Sequence, residues 1–539
     1  MATTVTQLDL SPAVTWPAGY ATDPGLSLEE VVRPYGSAAE VAFLGADGAR
    51  DAASYDVLAR RIATAAHRLR AAGVRPGDPV AVTLTNDLPT VTAALGVWAA
   101  GGTLVSLPPP PRRGGEVHAQ RFGAVLDAMD CRLHLTDAPD TPPLTDRMRA
   151  VPVAAVQGEE RVPDPEPAIP DIALVQFTSG SLGTPKGVAV RGDIFAGHIK
   201  MISRCFDLDS ARDRVVTWLP LYHDLGFVCF FSSAFYARTA QTHSNPKSFV
   251  LDPASWLTML ARERATVSGA PNFGFRLASR MPYPEGLDLS RMKCCLNAAE
   301  RVLWSDVVDF HRVAGPLGFP WEAIMPAYGL AEGTVGVSCA PHDRGPVRGP
   351  DGHVSLGPPL PGNRYTVSES GSLLLGGNWL FEGYWTAEGF KPRDPGPFDT
   401  DDAAFLHDGE LYVIGRRADV ASVSGHNVFA EDVEAAALAA GGPLLLGCAA
   451  FKHRGEGGGG ERFGLVLEIS PRTKSAAPEV ARAARRAVTE ALGTRVAPVL
   501  VVQQGAIPRT TSGKPRRPVL REMVLNGELP PRRVLAELP

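Results

Sequence analysis

Hydrophobic positions fall along the chain in short blocks of alternating period. From Ser54 to Gly73, Leu58, Ile62, Ala65 and Leu69 share one helical face, with Ser54 placed to cap the start and Gly73 to stop the run. A turn at Arg75-Pro76-Gly77-Asp78 leads into the apolar run Val80 to Leu84, a helical stretch from Val91 to Ala100 and an extended one from Thr103 to Leu107. Helix and strand in this order predict an α/β fold with parallel strands. The alternation returns at Ala173 to Phe177, Arg214 to Trp218, Ala265 to Ser268 and Met292 to Leu296. The uncharged stretch Val91 to Leu107 invites a membrane reading. Gly101-Gly102 and the Pro108 to Pro111 run divide it, so it predicts a buried helix followed by a buried strand.

Further on, Leu411 to Val423 reads as a strand, a charged Arg416-Arg417-Ala418-Asp419 and a second strand. The chain then restarts with its own short strands, a glycine loop at Gly455 to Gly460 and an Ala/Arg helix from about Pro478 to Leu492. A domain boundary is expected near Asp419. It divides a large N-terminal part of mixed sheets and helices, 1–418, from a small α+β part, 419–539.

The 539 residues, 45% hydrophobic and 21% charged, describe a folded multi-domain chain. A net charge of −5 over that length is too weak to call for nucleic acid or an anionic membrane, which leaves small-molecule chemistry. Seven scattered cysteines, none in a C-x-x-C pair, argue against a metal cluster or a disulfide framework. The first residues lack the basic start and apolar run of a secretion signal, so a reducing cytoplasm is expected.

Chemistry enters at Thr178 to Gly187, TSGSLGTPKG, directly after an apolar run. Glycines let the backbone turn and aim N–H groups at anionic oxygens, while Thr178, Ser179 and Ser181 add hydroxyl donors and Lys186 a positive charge. That is the chemistry of a phosphate cradle. The spacing is not that of a Walker loop, and Val188 to Val190 reads as a strand where a Walker loop has a helix. Taken alone, the motif also describes a polar turn between two strands, the lesser of the two readings.

It is followed in order by LPLYHDLGF (Leu219 to Phe227), LNAAE (Leu296 to Glu300), AYGLAEGT (Ala327 to Thr334), DTDDAAFLHDGELYVIGRRAD (Asp399 to Asp419) and PRTTSGKPRR (Pro508 to Arg517). With this ordered set nearly the whole chain resembles the acyl-activating, adenylate-forming superfamily. The proline run after Ser106-Leu107, ATVSGAPNF (Ala265 to Phe273) and Asn297-Ala298-Ala299-Glu300 resemble its fatty acyl-AMP ligase branch.

The resemblance implies ATP-dependent adenylation: a carboxylate attacks the α-phosphorus, pyrophosphate leaves, and a thiol takes the acyl group from the adenylate. It implies that Thr178, Ser179, Gly180, Ser181, Gly183, Thr184 and Lys186 hold phosphate, and that Glu332, with Thr178, holds Mg²⁺. Thr334 lies close to that position. Tyr328 and Gly329 would lie against adenine, with Ala299 and Glu300 beside the base. Asp402 would bind ribose, with Arg416 as a partner to ribose or phosphate. Lys514 would be the catalytic lysine. His223 would stand where the acid and nucleotide pockets meet, and Asn272, Phe273 and the residues between Phe227 and Phe235 would line the acid pocket. Asp419 would be the hinge of a mobile C-terminal domain, with Gly425 near a thiol tunnel.

Several positions depart from the family pattern. Leu182 replaces a threonine of the loop, Ala298 a glycine near adenine, Asp401 the glycine before the ribose aspartate, Ala418 a lysine and Ser424 an arginine. About two dozen residues separate Thr334 from the Leu356-Gly357-Pro358-Pro359 turn, so most of the insertion of fatty acyl-AMP ligases is missing. The expected reaction is adenylation of a fatty or aryl acid in specialised metabolism, with transfer to carrier-protein phosphopantetheine or CoA. A second reading is nitrite activation for diazotisation of an aryl amine. A third is a non-catalytic AMP- or acyl-binding relative; intact Lys186, Glu332, Asp402, Arg416 and Lys514 argue against it.

Overall fold

The computed structural model describes residues 37, 39–110, 115–137, 144–160, 162, 170–179, 185–423, 426–454, 461–510 and 514–539. Two eight-stranded sheets dominate. In the first, the parallel strands Ile172–Ser179, Thr103–Leu107, Pro79–Thr83, Leu133–Leu135 and Arg149–Val151 are extended by Pro185–Arg191, Gly383–Thr386 and Gly389–Pro392, each antiparallel to its neighbour. In the second, Ile324–Tyr328, Cys294–Ala298, Val267–Pro271, Arg214–Thr217, Ala240–Ser244 and Glu40–Leu44 run parallel, with the antiparallel Ser338–Cys339 and Arg50–Ser54 at the edges.

The expected alternation is therefore present, and its local causes are visible. The Ser54 hydroxyl accepts from the Val57 N–H and opens the helix Tyr55–Ala71, which buries Leu58, Ile62, Ala65 and Leu69. Asp87 caps the helix Leu88–Ala99 by accepting from Thr90, and every residue from Thr90 to Ala99 is buried. This helix packs on strands of both large sheets. Its approach to the neighbouring helix needs Gly96, where a Cβ would stand 2.6 Å from the Ala65 Cβ. The uncharged stretch is thus a core layer, and among the described residues no helix is long and apolar enough to cross a membrane.

A four-stranded antiparallel sheet follows, with Ser372–Gly377 between Asn363–Val367 and Phe398–His407, and Glu410–Arg416 outermost. After the hairpin Val420–Val423 and His426–Phe429, a last sheet orders Leu445–Arg454, Glu461–Ile469, Val499–Gln503 and Val534–Leu538. Alternation along Glu461–Ile469 sends Phe463, Leu465 and Leu467 to one core with the helices Ala430–Gly441 and Ala477–Leu492, and Val466 to a second core with Leu520. Both cores are separate from the large one. The Arg280 guanidinium donates to the Leu445 carbonyl at 2.8 Å, and Arg301 pairs with Asp432 at 2.5 Å, so this region is tied to the large sheets by polar contacts.

Candidate active site

The glycine loop joins the antiparallel strands Ile172–Ser179 and Pro185–Arg191, with Thr178 opposite Lys186 and Ser179 opposite Pro185. Gly180, Ser181, Leu182, Gly183 and Thr184 lie outside the described residues. The strand expected after the loop is present, and Gly187 is required in it: a Cβ there would stand 2.7 Å from Val175 Cγ1. Lys186 is exposed, and its ammonium lies 5.0 Å from the centre of the Tyr384 ring. Tyr384 comes from the next strand, opposite Val188, and its hydroxyl donates to Glu332 Oε1 at 2.8 Å.

Glu332 sits in the turn Ala331–Gly333 beyond the strand Ile324–Tyr328. Burial pushes its carboxyl above the ordinary range and the Asp224 charge adds to this, against the Tyr384 donor and the Arg416 charge. Tyr328 ends that strand, and its hydroxyl donates to Asp402 Oδ2. Gly329 has no room for a side chain, since a Cβ would stand 1.7 Å from the Val335 carbonyl oxygen.

Asp402 and Arg416 are cross-strand partners on Phe398–His407 and Glu410–Arg416. Arg416 Nε lies 2.8 Å from Asp402 Oδ1, and Arg416 Nη1 donates to the Thr400 carbonyl at 2.9 Å. Asp402 is 6% exposed. Burial raises its carboxyl pKa, opposed by Arg416, by the Tyr328 hydrogen bond and by the Lys514 charge. Asp401, where the family has glycine, has φ of +58°, a left-handed conformation that aspartate tolerates better than most residues.

His223 and Asp224 stand together, Nδ1 to Oδ1, at 2.6 Å. The Leu225 N–H donates to Asp224 Oδ1 at 2.7 Å. Burial alone would raise Asp224, but the His223 ring, that N–H and the Lys514 charge outweigh it and hold the carboxyl below its ordinary value. Lys514 is exposed, on a loop closed by Thr510 N–H to the Lys514 carbonyl at 2.8 Å and Arg516 N–H to the Pro508 carbonyl at 2.8 Å. Its charge favours the ionised form of both Asp224 and Asp402.

Other expected residues are placed differently. Thr334 is 1% exposed and its hydroxyl donates to the Trp379 carbonyl at 2.8 Å, which commits its proton away from phosphate. Ala299 has φ of +67°, and the next residue, Glu300, accepts from the Phe273 N–H at 3.0 Å, at the start of the helix Asn272–Ala278. Asn272 donates to Asp306 at 2.6 Å and is 2% exposed. Leu225 to Ser232 form a π-helical run in which every residue is buried, with Phe227 stacked on Phe231 and Phe230 on Phe206. The sequence reading missed Tyr384, and missed Asp224 although it stands beside His223.

The site thus gathers an exposed lysine over the Tyr384 ring, a buried aspartate held by arginine and tyrosine, and a half-buried glutamate that accepts from Tyr384. The chain belongs to the AMP-binding enzyme family, which it matches over residues 28–385. It is 30% identical over 545 residues to the long-chain-fatty-acid–AMP ligase FadD26 of Mycobacterium bovis, covering 87% of this chain and 91% of that protein. It is 29% identical over 529 residues to the 4-hydroxyphenylalkanoate adenylyltransferase of Mycobacterium tuberculosis, covering 84% of this chain and 83% of that one. A solved structure from work on fatty acyl-adenylate ligases of E. coli and L. pneumophila superposes with a TM-score of 0.81 at 24% identity, covering 94% of this chain and 98% of that one, a likeness of fold.

Proposed function

We propose that this enzyme uses ATP to convert a fatty or aryl carboxylic acid to its acyl adenylate with release of pyrophosphate, and then passes the acyl group to a thiol of carrier-protein phosphopantetheine or CoA in specialised metabolism. The observation that carries the reading is the cross-strand pair of Asp402 and Arg416, Oδ1 to Nε at 2.8 Å with the Tyr328 hydroxyl on Oδ2, and the Lys514 charge bears on this aspartate and on Asp224. Lys514 then supplies a cation to the site that also holds Lys186 and Glu332. In this reading Asp402, whose ionised form Arg416 and Tyr328 favour against burial, accepts from the ribose hydroxyls. Lys186 holds the outer phosphates, and Lys514 steadies the charge that develops between the carboxylate and the α-phosphate. Tyr328 and Gly329 shape the adenine side, and His223, fixed by Asp224, orients the acid.

Glu332 suits Mg²⁺ of the kind held by one carboxylate together with phosphate oxygens and water, since one of its oxygens is already fixed by Tyr384. The metal, when bound, neutralises phosphate charge. The part from Asp419 onward, with cores of its own, acts as the mobile lid carrying Lys514. The seven buried thiols support a reducing cytoplasm.

Acid-dependent exchange of labelled pyrophosphate into ATP tests the reading across fatty acids, aryl acids and nitrite. Exchange with a carboxylic acid, sharply lowered but still measurable in Lys514→Ala, supports it. Exchange with nitrite alone replaces it, and no exchange with any acid sinks it.

A further inference from the structure

The loop that presents Lys514 is pinned at both ends by arginines. Before it, Arg509 Nη2 lies 3.0 Å from Glu468 Oε2, and the other oxygen of Glu468 accepts from the Ile507 N–H at 3.0 Å. After it, the chain enters the helix Arg517–Leu525, and Arg517 is 13% exposed amid three carboxylates. Its Nη1 is 2.7 Å from Asp419 Oδ2. Its Nε and Nη2 both donate to Glu434, at 3.1 and 3.0 Å, and Nη2 is 3.0 Å from Glu431 Oε1. Glu434 also accepts from the Ala450 N–H at 2.9 Å, which anchors the cluster to the last sheet.

The other side of this cluster reaches the nucleotide site. A Cβ on Gly415 would stand 2.4 Å from Glu431 Oε2, so the Glu431 carboxylate lies directly against the strand Glu410–Arg416. The next residue of that strand, Arg416, holds Asp402. Asp419 lies three residues further along the same chain segment. Arg517 therefore connects the end of the Lys514 loop to the backbone on which the ribose-side arginine stands.

We propose that Arg517 is a positioning residue for Lys514: through Asp419, Glu431 and Glu434 it sets the register between the Lys514 loop and the Arg416–Asp402 pair. Its planar guanidinium can serve three carboxylates from separate directions, which an ammonium cannot do in the same geometry. The inference rests on the acid-activation reading above.

The experiment compares wild type, Arg517→Ala and Arg517→Lys in pyrophosphate exchange, with dodecanoate or 4-hydroxybenzoate as the acid, each also in a Lys514→Ala background, with thermal melts throughout. Misplacing a catalytic group by about 1 Å can cost on the order of 100-fold in rate, so kcat of Arg517→Ala should fall about 10- to 100-fold. KM for ATP and for the acid should stay within about two-fold, since binding groups are untouched. Arg517→Lys should recover part of the loss, and neither change should lower the rate further once Lys514 is gone.

Unchanged kcat in Arg517→Ala, or the same proportional loss with and without Lys514, overturns the proposal. If Arg517→Ala does not fold, Arg517→Lys decides by the same criteria. Absence of exchange in wild type with every acid overturns the acid-activation reading, and the inference falls with it; exchange that is indifferent to residue 517 overturns the inference alone.

Discussion

The Tyr384 hydroxyl donates to Glu332 at 2.8 Å while the same ring faces the Lys186 ammonium at 5.0 Å, so one side chain spaces the proposed metal-binding carboxylate from the proposed phosphate-binding lysine. Tyr384→Phe keeps the ring and removes the donor. A hydrogen bond to a charged group is worth about 1.5–3 kcal/mol. If the carboxylate needs that donor to hold its orientation, half-maximal pyrophosphate exchange should require roughly ten-fold or more Mg²⁺, while the KM for the acid stays put. A Mg²⁺ titration identical to wild type would remove Tyr384 from the site.

Much of the frame was legible because hydrophobic period is a local property. The helix that starts after Ser54 and the strands that begin at Arg214 and near Met292 all follow their own side chains. Where a boundary moved, the cause is a non-local bond: Ala265 to Ser268 was expected as a strand, but the strand is Val267–Pro271, and Thr266 is instead bonded across to Arg214 through its side chain and its N–H. Within the site, Asp402 and Arg416 were readable as motif residues, yet their pairing depends on register across two strands with a bulge between them. Tyr384 had no signal, since it meets Glu332 from 52 residues away only through the order of the sheet. The apolar run Phe227 to Phe235 was read as pocket wall. A pocket wall and a packed core have the same composition, and the structure stacks these rings on one another.

Asp402→Asn tests the ribose assignment. Arg416 would keep its place through the Thr400 carbonyl but face a neutral amide, and the sugar hydroxyls would lose an ionised acceptor. We expect the KM for ATP to rise about 10- to 100-fold, in line with the loss of charge-assisted hydrogen bonds. The preference for ATP over 2′-deoxy-ATP or 3′-deoxy-ATP should shrink toward unity. Steady-state kinetics with the three nucleotides measures this, and an undiminished preference would place the sugar elsewhere.

Asp401 occupies a left-handed conformation with φ of +58°, and its N–H donates to Asp399 at 2.9 Å. A β-branched residue cannot adopt that geometry cheaply, so Asp401→Val should cost about 1–2 kcal/mol of stability. Asp401→Gly, the residue that the family resemblance leads one to expect, should change stability by less than about 1 kcal/mol, because relief of strain and added chain entropy oppose each other. Thermal melts of the two variants should therefore separate clearly, with the valine form lower.

The last prediction concerns pH and the carboxylates around Arg517. Burial pushes the Glu431 carboxyl up to about 7; the Arg517 charge opposes this, and the neighbouring Glu434 and Asp419 add to it. An acid with a raised value in the folded state holds its proton more tightly there than in the unfolded chain. Between its ordinary value and about 7 the folded form binds the extra proton, so this group's contribution to stability falls as pH rises through that window and is lowest above it. Glu431→Gln resembles the protonated side chain at every pH, and Arg517 retains Glu434 and Asp419 as partners. The difference in melting temperature between Glu431→Gln and wild type should therefore shift in favour of the variant as pH is raised from about 5.5 to about 8. Comparing the two proteins at each pH cancels the titration of the other carboxylates. A difference that stays constant, or moves toward wild type at high pH, would mean that Glu431 is ionised at ordinary pH and that the cluster around Arg517 carries its full negative charge.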